Sequence, residues 1–496
     1  MSGWTGDWVQ RRLGVHVRGD GVPELVGLAL RRNPKRAHLV VSRVLGKHVP
    51  TDPRLVRGVG LALGALVAAE LDGRARAVPS LTAALRDEPG AAAALRDALL
   101  TALRGVPAVP GVTVLGYAET ATGLGHVVAE ALDAEVYLHS TRRAVLGRLP
   151  LRGFAEEHSH AADHLLLPSD PGMLTGTGLL VLVDDELSTG RTVANTLRAL
   201  HRLSPRPRYV VAALVDLRAP AAQTELLALA DELGARVDVV ALATGTVEVP
   251  DGVLGAGAAL VEQLTPAADR RAKAALAQPR RGHAALAQPR PTRVDLGWPA
   301  GVPDGGRHGV RRGHRAVLEA ALAGMALRLD RALPDDGEVL VLGCEELMHT
   351  PLRLAEALAD RGRTVRSSTT TRSPVLAVDD QGYAVRHSIT FPAHDCPGDG
   401  SGGQEVTIGP APRSAGDKMY VLAPAPAPPP APAPAPAPTP GPRFAYNIAA
   451  GRFAAVVLVI DDVADTPELP GLLAELGALT PRVVLATIPS WTGGPP

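Results

Sequence analysis

Short apolar runs and longer sets of spaced apolar residues follow each other along the chain. Residues 179–183 (LLVLV) form one such run, and it ends in two acids, Asp184 and Asp185. A turn of small polar residues follows, and apolar residues then recur at helical spacing from Val193 to Leu200. A short apolar run bounded by turn residues is typical of a buried strand, and the later spacing is typical of an amphipathic helix. This stretch predicts a strand, a loop and a helix.

The same pattern repeats on both sides of this stretch. Further strands are predicted at Val112–Leu115, Glu135–Leu138, Tyr209–Val215, Val237–Ala243, Glu338–Leu342, Val456–Ile460 and Val483–Ile488. Strands that alternate with helices favour a parallel, doubly wound sheet. We therefore expect an α/β protein with one doubly wound parallel sheet and a second, Rossmann-like α/β unit towards the C-terminus.

The length of 496 residues is too great for one hydrophobic core and suggests more than one domain. We predict a first domain at 1–265, a low-complexity linker at 266–297 and a C-terminal domain at 298–496. The linker carries the sequence AALAQPR twice, which is typical of expanded sequence and not of a structural repeat. An alternation of Ala and Pro at 423–442 predicts a disordered insertion in the second domain.

The composition excludes several classes of function. Lys and Arg number 51, as do Asp and Glu, so no basic field exists to attract nucleic acid. Aromatic residues are only 3% of the chain, which argues against stacking on bases. No apolar run is long enough to span a membrane. The two cysteines cannot form a disulfide framework, so a cytoplasmic location is expected.

The residues after the strand at 179–183 suit a sugar phosphate. The carboxylates of Asp184 and Asp185 can bind sugar hydroxyls at the carboxyl edge of the sheet. Free N–H groups at the start of the next helix hold an anion, and glycine lets the backbone approach it closely. The five residues of this phosphate loop are Ser188, Thr189, Gly190, Arg191 and Thr192.

A second strand, loop and helix lie upstream. Val112–Leu115 runs into residues 116–126 (GYAETATGLGH), a loop rich in Gly and Thr, before a predicted helix at Val127–Leu132. Further upstream, the basic N-terminal region contains Lys47 and His48, and only four lysines occur in the chain. That region is either a solvated surface or a cap over a polyanionic ligand.

The strand, two acids and Thr-Gly-x-Thr loop resemble the phosphoribosyl diphosphate (PRPP) motif of type I phosphoribosyltransferases. The resemblance implies that Asp184 and Asp185 orient the ribose of PRPP and also meet Mg²⁺, directly or through ribose or water. Residues 188–192 would then bind the 5′-phosphate. The diphosphate would be bound by the upstream loop and the basic residues after the next strand, namely Glu119, Thr120, Ala121, Thr122, Gly123, Gly125, Arg142 and Arg143.

The polar segment at 152–170 lies where this fold has its catalytic loop. Its lack of periodicity fits a mobile lid, for which we predict Glu157, His158 and His160. The histidines also permit a transition-metal site completed by Asp163 or His164. Contact of the lid histidines with the diphosphate or the acceptor is the alternative.

The second half of the chain contains Thr371, Arg372, Ser373 and Pro374, the signature of the TRSP domain. This domain is found C-terminal to an orotate-phosphoribosyltransferase-like (PRTase_2-type) domain, which the first half resembles in HSTRR at 139–143 and EEHSHA at 156–161. The family is associated with bacterial gene clusters for tellurite resistance and stress. Arg372 and Ser373 either bind a phosphate or the acceptor, or they brace the domain interface.

We therefore expect a phosphoribosyltransferase that uses PRPP and Mg²⁺ to transfer a ribosyl phosphate to a small base-like acceptor. A homodimer is the working expectation, and neither nucleic acid nor membrane is an expected partner. A PRPP- or nucleotide-sensing regulator without turnover is the alternative. A tandem PRPP synthetase is disfavoured because no Thr-Gly loop follows the second acidic pair, Asp461 and Asp462.

Overall fold

The computed structural model describes residues 4–33, 36–74, 76, 78–104, 109–143, 152–154, 164–277, 291–394 and 441–491. The helices are α1 (Asp7–Leu13), α2 (Val22–Leu25), α3 (Pro53–Asp72), α4 (Thr82–Leu85), α5 (Ala91–Leu103), α6 (Ala121–Ala131), α7 (Arg191–Leu203), α8 (Pro220–Leu233), α9 (Val253–Ala277), α10 (Arg312–Asp330), α11 (His349–Asp360) and α12 (Leu469–Leu479).

The strands are β1 (His16–Arg18), β2 (Val26–Asn33), β3 (Arg36–Ser42), β4 (Thr113–Gly116), β5 (Val136–His139), β6 (Arg152–Phe154), β7 (His164–Leu166), β8 (Leu180–Leu187), β9 (Arg208–Asp216), β10 (Arg236–Thr244), β11 (Thr246–Glu248), β12 (Thr292–Val294), β13 (Val310–Arg311), β14 (Val339–Gly343), β15 (Val365–Thr369), β16 (Ser388–Phe391), β17 (Arg443–Tyr446), β18 (Ala455–Asp461) and β19 (Val483–Ile488).

The main sheet is the predicted doubly wound sheet. Its order in the described residues is β10-β9-β8-β4-β5-β13, and every pairing is parallel except that of β13 with β5. Both faces of this sheet are covered, since alternate residues of β8 belong to two different hydrophobic cores. Val181 and Val183 pack on one side, and Leu180 and Leu182 pack on the other. Burial on both faces is the reason that β8 begins as an unbroken apolar run.

Helix α3 covers one face of the main sheet and lies against α6. Two glycines of α3 make this close approach possible. A Cβ at Gly60 would lie 2.7 Å from Val127, and one at Gly64 would lie 2.3 Å from the Cβ of Ala131. The small residues at 58–69 therefore allow α3 to pack closely against α6. Of the helices that the structure describes, none combines the length and apolar character that a membrane crossing requires.

The predicted second α/β unit is confirmed. Its sheet has the order β12-β19-β18-β14-β15 in the described part of the chain, and all its pairings are parallel. Val339 and Val341 of β14 face one core, and Leu340 and Leu342 face another. This sheet is therefore also buried on both faces.

The structure moves the predicted domain boundaries. The proposed linker at 266–297 begins inside α9, which continues to Ala277, and β12 already belongs to the second sheet. Residues 278–290 and 423–440 of the predicted low-complexity segments lie outside the described residues. The two halves are also interleaved, since β13 extends the main sheet beside β5. Local composition marks a linker, but it does not reveal which sheet a short strand will join.

The antiparallel pair β2 and β3 joins the N-terminal region to the second half. Arg31 in β2 forms an isolated bridge with Val375, and Leu376 N–H donates to the carbonyl of Leu30 at 3.0 Å. Thr51 pairs with Ser367 in the same way. These contacts join the hairpin and the segment after it to the second half of the chain, and Arg36 and Lys47 line the cleft at the carboxyl edge of the main sheet.

Candidate active site

Strand β8 extends beyond its neighbour β4 at the carboxyl edge of the main sheet. Gly116, the last residue of β4, is opposite Val183, whereas β8 continues to Leu187 alongside β9. Asp184 and Asp185 lie in this extension, and Asp184 Oδ1 accepts a hydrogen bond from the Asp185 N–H at 2.9 Å. Their carboxylates can therefore face a ligand placed above the end of β4.

The predicted phosphate loop follows β8 and leads directly into α7. Gly190 has φ of 72° and ψ of −1°, the left-handed conformation, at the N-cap of this helix. Glycine adopts it without the steric cost of a Cβ. Thr189 Oγ1 accepts from Arg191 N–H at 3.4 Å, and Arg36 Nη2 donates to Ser188 Oγ at 3.1 Å. The loop and the helix N-terminus present an anion site with an arginine beside it.

The prediction of a long loop after β4 is wrong. Helix α6 begins at Ala121, so Ala121, Thr122, Gly123 and Gly125 are helical and buried. A Cβ at Gly125 would lie 3.0 Å from the Cα of Gly116. Gly125 is thus needed for packing between helix and strand, whereas a Cβ at Gly123 would lie 3.2 Å from the Cβ of Met348, and neither glycine lines the cleft. The loop itself is residues 117–120, and its Ala118–Glu119 peptide bond is cis.

Glu119 and Thr120 do reach the cleft. Glu119 is 8% exposed, and its carboxylate lies 3.4 Å from Lys47 Nζ. Burial raises the pKa of this carboxyl, but the charges of Lys47 and Arg372 outweigh burial and leave the pKa below its ordinary value. Glu119 is therefore an anion that holds cations, and it cannot itself bind a diphosphate directly. Lys47 Nζ also donates to Thr120 Oγ1 at 2.9 Å.

The two candidate arginines after β5 have different positions. Arg142 lines the cleft, and its Nη2 lies 3.2 Å from His164 Nε2. Arg143 does not line the cleft, because its Nη1 donates to Asp461 Oδ2 of the second sheet at 2.9 Å. The prediction that Arg143 binds the diphosphate is thus not supported.

The TRSP signature lies in the same cleft. Arg372, Ser373 and Pro374 line it, and Thr371 Oγ1 donates to Glu119 Oε2 at 2.9 Å. Arg372 Nε donates to Glu345 Oε2 at 2.5 Å and lies 3.6 Å from Glu119 Oε1. The motif is thus both part of the cleft wall and part of the domain interface. The sequence could not decide between these roles.

The lid prediction falls mostly outside the described residues, which include none of Glu157, His158, His160 and Asp163. The described ends of that segment are β6 and β7, which pair antiparallel. His164 is described and buried, and its Nδ1 lies 2.7 Å from Ser140 Oγ. With its Nε2 beside Arg142, His164 has both ring nitrogens engaged within the protein and is unsuited to ligate a metal.

The cleft has a volume of about 250 Å³ and is strongly charged. Its cations are Arg31, Arg36, Lys47, Arg142, Arg191 and Arg372, and its acids are Glu119, Asp184, Asp185 and Glu186. The cations lie around the two loops, and three of the acids lie on β8 between them. The structure thus favours the interpretation of Lys47 and His48 as a cap. Sequence reasoning missed Arg31, Arg36 and Glu186, which carry no motif.

Glu186 differs from its neighbours on β8. Burial raises its pKa to about 7, the nearby charge of Arg36 lowers it, and that of Asp185 raises it. This carboxyl therefore changes charge near neutral pH, inside the cleft.

The cleft suits a magnesium ion that is shared with a ligand. Among the described residues, no group of three or more His, Cys, Asp or Glu side chains could hold a metal alone. Magnesium usually binds one or two carboxylates together with substrate phosphates and water. Asp184 and Asp185 offer two adjacent carboxylates, which fits that mode.

The fold and the cleft define a class of protein, an α/β protein with a strongly charged cleft at the carboxyl edge of a parallel sheet. Residues 25–246 match the family model PRTase_2, described as phosphoribosyl transferase. Residues 304–406 match the TRSP domain, described as C-terminal to PRTase_2. The chain therefore contains a PRTase_2 phosphoribosyltransferase domain followed by a TRSP domain, which confirms the resemblance seen in the sequence.

Several solved structures are similar to part of the chain. Adenine phosphoribosyltransferase from Rhodothermus marinus is 18% identical, with 45% of this chain and 97% of that chain covered and a TM-score of 0.26. The Trypanosoma brucei enzyme, solved with AMP, pyrophosphate and ribose-5-phosphate, is 15% identical, with coverage of 32% and 66% and a TM-score of 0.22. Orotate phosphoribosyltransferase from Aeropyrum pernix is 20% identical, with coverage of 29% and 73% and a TM-score of 0.18. No match was found among curated proteins.

Proposed function

We propose that the protein transfers the ribosyl phosphate of PRPP, with Mg²⁺, to a base-like acceptor, giving a nucleotide-like product and diphosphate. The observation that carries this proposal is the arrangement of charge in the cleft. Cations lie beside each of the loops that follow the neighbouring parallel strands β4 and β8, and acids of β8 lie between them. PRPP has the matching arrangement, since it carries a phosphate at C5, a diphosphate at C1 and hydroxyls between them.

The 5′-phosphate is assigned to residues 188–192. Its partners are the N–H groups of the loop and of the first turn of α7, the hydroxyls of Ser188 and Thr189, and the nearby Arg36. The ribose hydroxyls are assigned to Asp184 and Asp185. The diphosphate is assigned to Thr120 with Lys47 and Arg142, because these line the cleft close to the loop that follows β4, next to β8.

The chemistry follows from the leaving group. Breaking the C1–O bond leaves positive charge on the sugar and negative charge on the departing diphosphate. Cations that are already fixed around the diphosphate stabilise this change without reorganising, and fixed ribose contacts hold C1 towards the acceptor. A bound Mg²⁺ supplies further neutralisation of the diphosphate. The acceptor is assigned to the wall formed by β3, where Leu39 and Val40 offer an apolar surface.

The direct test is to incubate the purified protein with PRPP, Mg²⁺ and a panel of nucleobases and related heterocycles, and to follow diphosphate release. Base-dependent release is expected with at least one acceptor class. PRPP binding measured by calorimetry provides the second readout. Binding without release for any acceptor would favour the sensing alternative, and absence of PRPP binding would overturn the site assignment.

A further inference from the structure

Two cations at the diphosphate end of the cleft come from outside the main sheet. Lys47 follows the β2–β3 hairpin, and Arg372 belongs to the TRSP domain. Both approach the same carboxylate, that of Glu119, at 3.4 Å and 3.6 Å. One buried acid thus lies between a cation of each half of the chain.

Several hydrogen bonds fix the backbone around these side chains. Ser368 Oγ donates to the carbonyl of Lys47 at 3.0 Å. Thr371 N–H donates to the carbonyl of Phe444 at 2.8 Å, and Tyr446 Oη donates to the carbonyl of Ser373 at 2.6 Å. The second domain therefore positions Lys47 as well as Arg372.

The position of Arg372 distinguishes it from an ordinary interface residue. Arg366 is a useful comparison, since it also joins the two halves, with Nη1 donating to Asp87 Oδ1 at 3.0 Å and Nε to Glu338 Oε1 at 2.8 Å. The side chains of Arg372 and Arg366 are 21% and 20% exposed. Only Arg372 lines the cleft. A residue that only joins the two halves of the chain would not need to line the cleft.

We propose that Arg372 is a catalytic residue that contacts the diphosphate of PRPP together with Lys47, that Glu119 is the positioning residue shared by the two cations, with Glu345 as the nearer partner of Arg372, and that the active site is therefore complete only when the TRSP domain is docked. This inference rests on the proposed function. In the reaction, the bond between C1 and the diphosphate oxygen breaks and its electron pair leaves with the diphosphate. A lone pair of the acceptor forms the new bond to C1, and the acceptor's proton passes to water. Arg372 and Lys47 lie where that negative charge develops.

The test uses the full chain, with pyrophosphate and ribose 5-phosphate as separate calorimetric probes in the presence of Mg²⁺. Arg372→Ala should weaken pyrophosphate binding by roughly ten- to a hundredfold, the usual effect of losing a charge-assisted hydrogen bond. Ribose 5-phosphate binding should stay within about twofold, because that probe lacks the diphosphate. Arg366→Ala should lower the melting temperature and change neither affinity. Arg372→Lys keeps the charge and serves if the alanine variant does not fold, with a smaller pyrophosphate loss expected.

Glu119→Gln tests the positioning role through the division between kcat and KM. The variant removes a negative charge near the diphosphate, so KM for PRPP should not rise. Lys47 loses its carboxylate partner and Arg372 loses one of its two, so the cations are held less firmly beside the diphosphate and kcat should fall by about tenfold or more. An unchanged kcat would overturn the role of Glu119. Unchanged pyrophosphate affinity in Arg372→Ala, or in Arg372→Lys if that variant is needed, would overturn the role of Arg372. A wild-type protein that binds neither PRPP nor pyrophosphate would instead overturn the proposed function.

Discussion

Strands β8 and β18 each run through a buried apolar stretch into two adjacent aspartates, and the two pairs have different surroundings. Asp184 and Asp185 lie in an open cleft beside a phosphate-sized loop. Asp461 is 4% exposed, and its carboxylate lies 2.9 Å from Arg143 Nη1 and 3.6 Å from Arg307 Nη1. An acidic pair at a strand end is therefore not by itself evidence of a ligand site.

The residues that follow each pair account for the difference. After β8, Gly190 takes a positive φ and the chain enters a helix of 13 residues, α7. After β18, the chain forms a short 3₁₀ turn at Asp462–Ala464, in which Asp461 Oδ1 accepts from the Ala464 N–H at 3.1 Å. The first loop leaves room and N–H groups for an anion, whereas the second uses its acid to cap its own backbone.

Removing the first pair should have the largest effect. We expect Asp184→Asn with Asp185→Asn to lower turnover by at least about a hundred- to a thousandfold, the range found when groups that stabilise a transition state are removed. Both side chains lie on the cleft and not in a core, so the melting temperature should change little. Diphosphate release and thermal unfolding measure the two effects. A wild-type rate in the double variant would remove the sugar-binding assignment.

The second pair should respond in the opposite way. Asp461→Asn removes the carboxylate that Arg143 contacts and one of the two that Arg307 contacts, and breaking a buried ion pair costs about 3–5 kcal/mol of unfolding free energy. Chemical denaturation should show this loss, while PRPP affinity of the folded protein stays near that of the wild type. Strongly reduced PRPP affinity with normal stability would mean that the end of β18 in the second sheet is also a ligand site.

Substitution of Gly190 tests the loop after β8, which is the feature that distinguishes the acidic pair of β8 from that of β18. Gly190→Val should lower PRPP affinity by at least about a hundredfold, because a β-branched residue disfavours positive φ and the N–H groups would no longer converge on the phosphate. Gly190→Asn is the matched variant, since Asn tolerates this conformation. If Gly190→Asn also lowers PRPP affinity, the absence of a side chain close to the phosphate is what matters. If Gly190→Asn keeps PRPP affinity, the backbone conformation is what matters. Near-normal affinity of the folded valine variant would contradict the assignment of this loop.

Local patterns predicted much of the fold and the centre of the site. The alternation of strands and helices along the chain, and the strand, loop and helix that begin at residue 179, were predictable because each depends on neighbouring residues. The start of α6 was not, because Gly123 and Gly125 are poor helix formers that tertiary packing nevertheless requires. That the TRSP signature forms part of the cleft wall could not be predicted, for another reason. Thr371 and Glu119 meet across 252 residues, and no periodicity encodes such a contact.

Glu186 offers the smallest and most specific test, because β18 has no counterpart to it. Its pKa of about 7 lies above the ordinary value of 4.5, so it gains negative charge as the pH rises through neutrality. That charge opposes the phosphates of PRPP, so affinity should fall between pH 6 and pH 8, by at most about tenfold per pH unit.

Glu186→Gln is the control that isolates this effect, since titration of PRPP itself is identical for both proteins. The difference in affinity between wild type and variant should therefore be small at pH 6 and grow towards pH 8. The free energy of unfolding of the wild type should also fall as the pH rises. Between pH 4.5 and about 7 the folded state of the wild type binds more protons than the unfolded state, so this contribution is present at low pH and is lost as the pH rises through about 7. The Gln variant lacks that loss and should be the more stable protein at pH 8. Parallel pH profiles of PRPP affinity for the two proteins would show that Glu186 does not titrate in the cleft, and the slope of the wild type would then belong to the ligand.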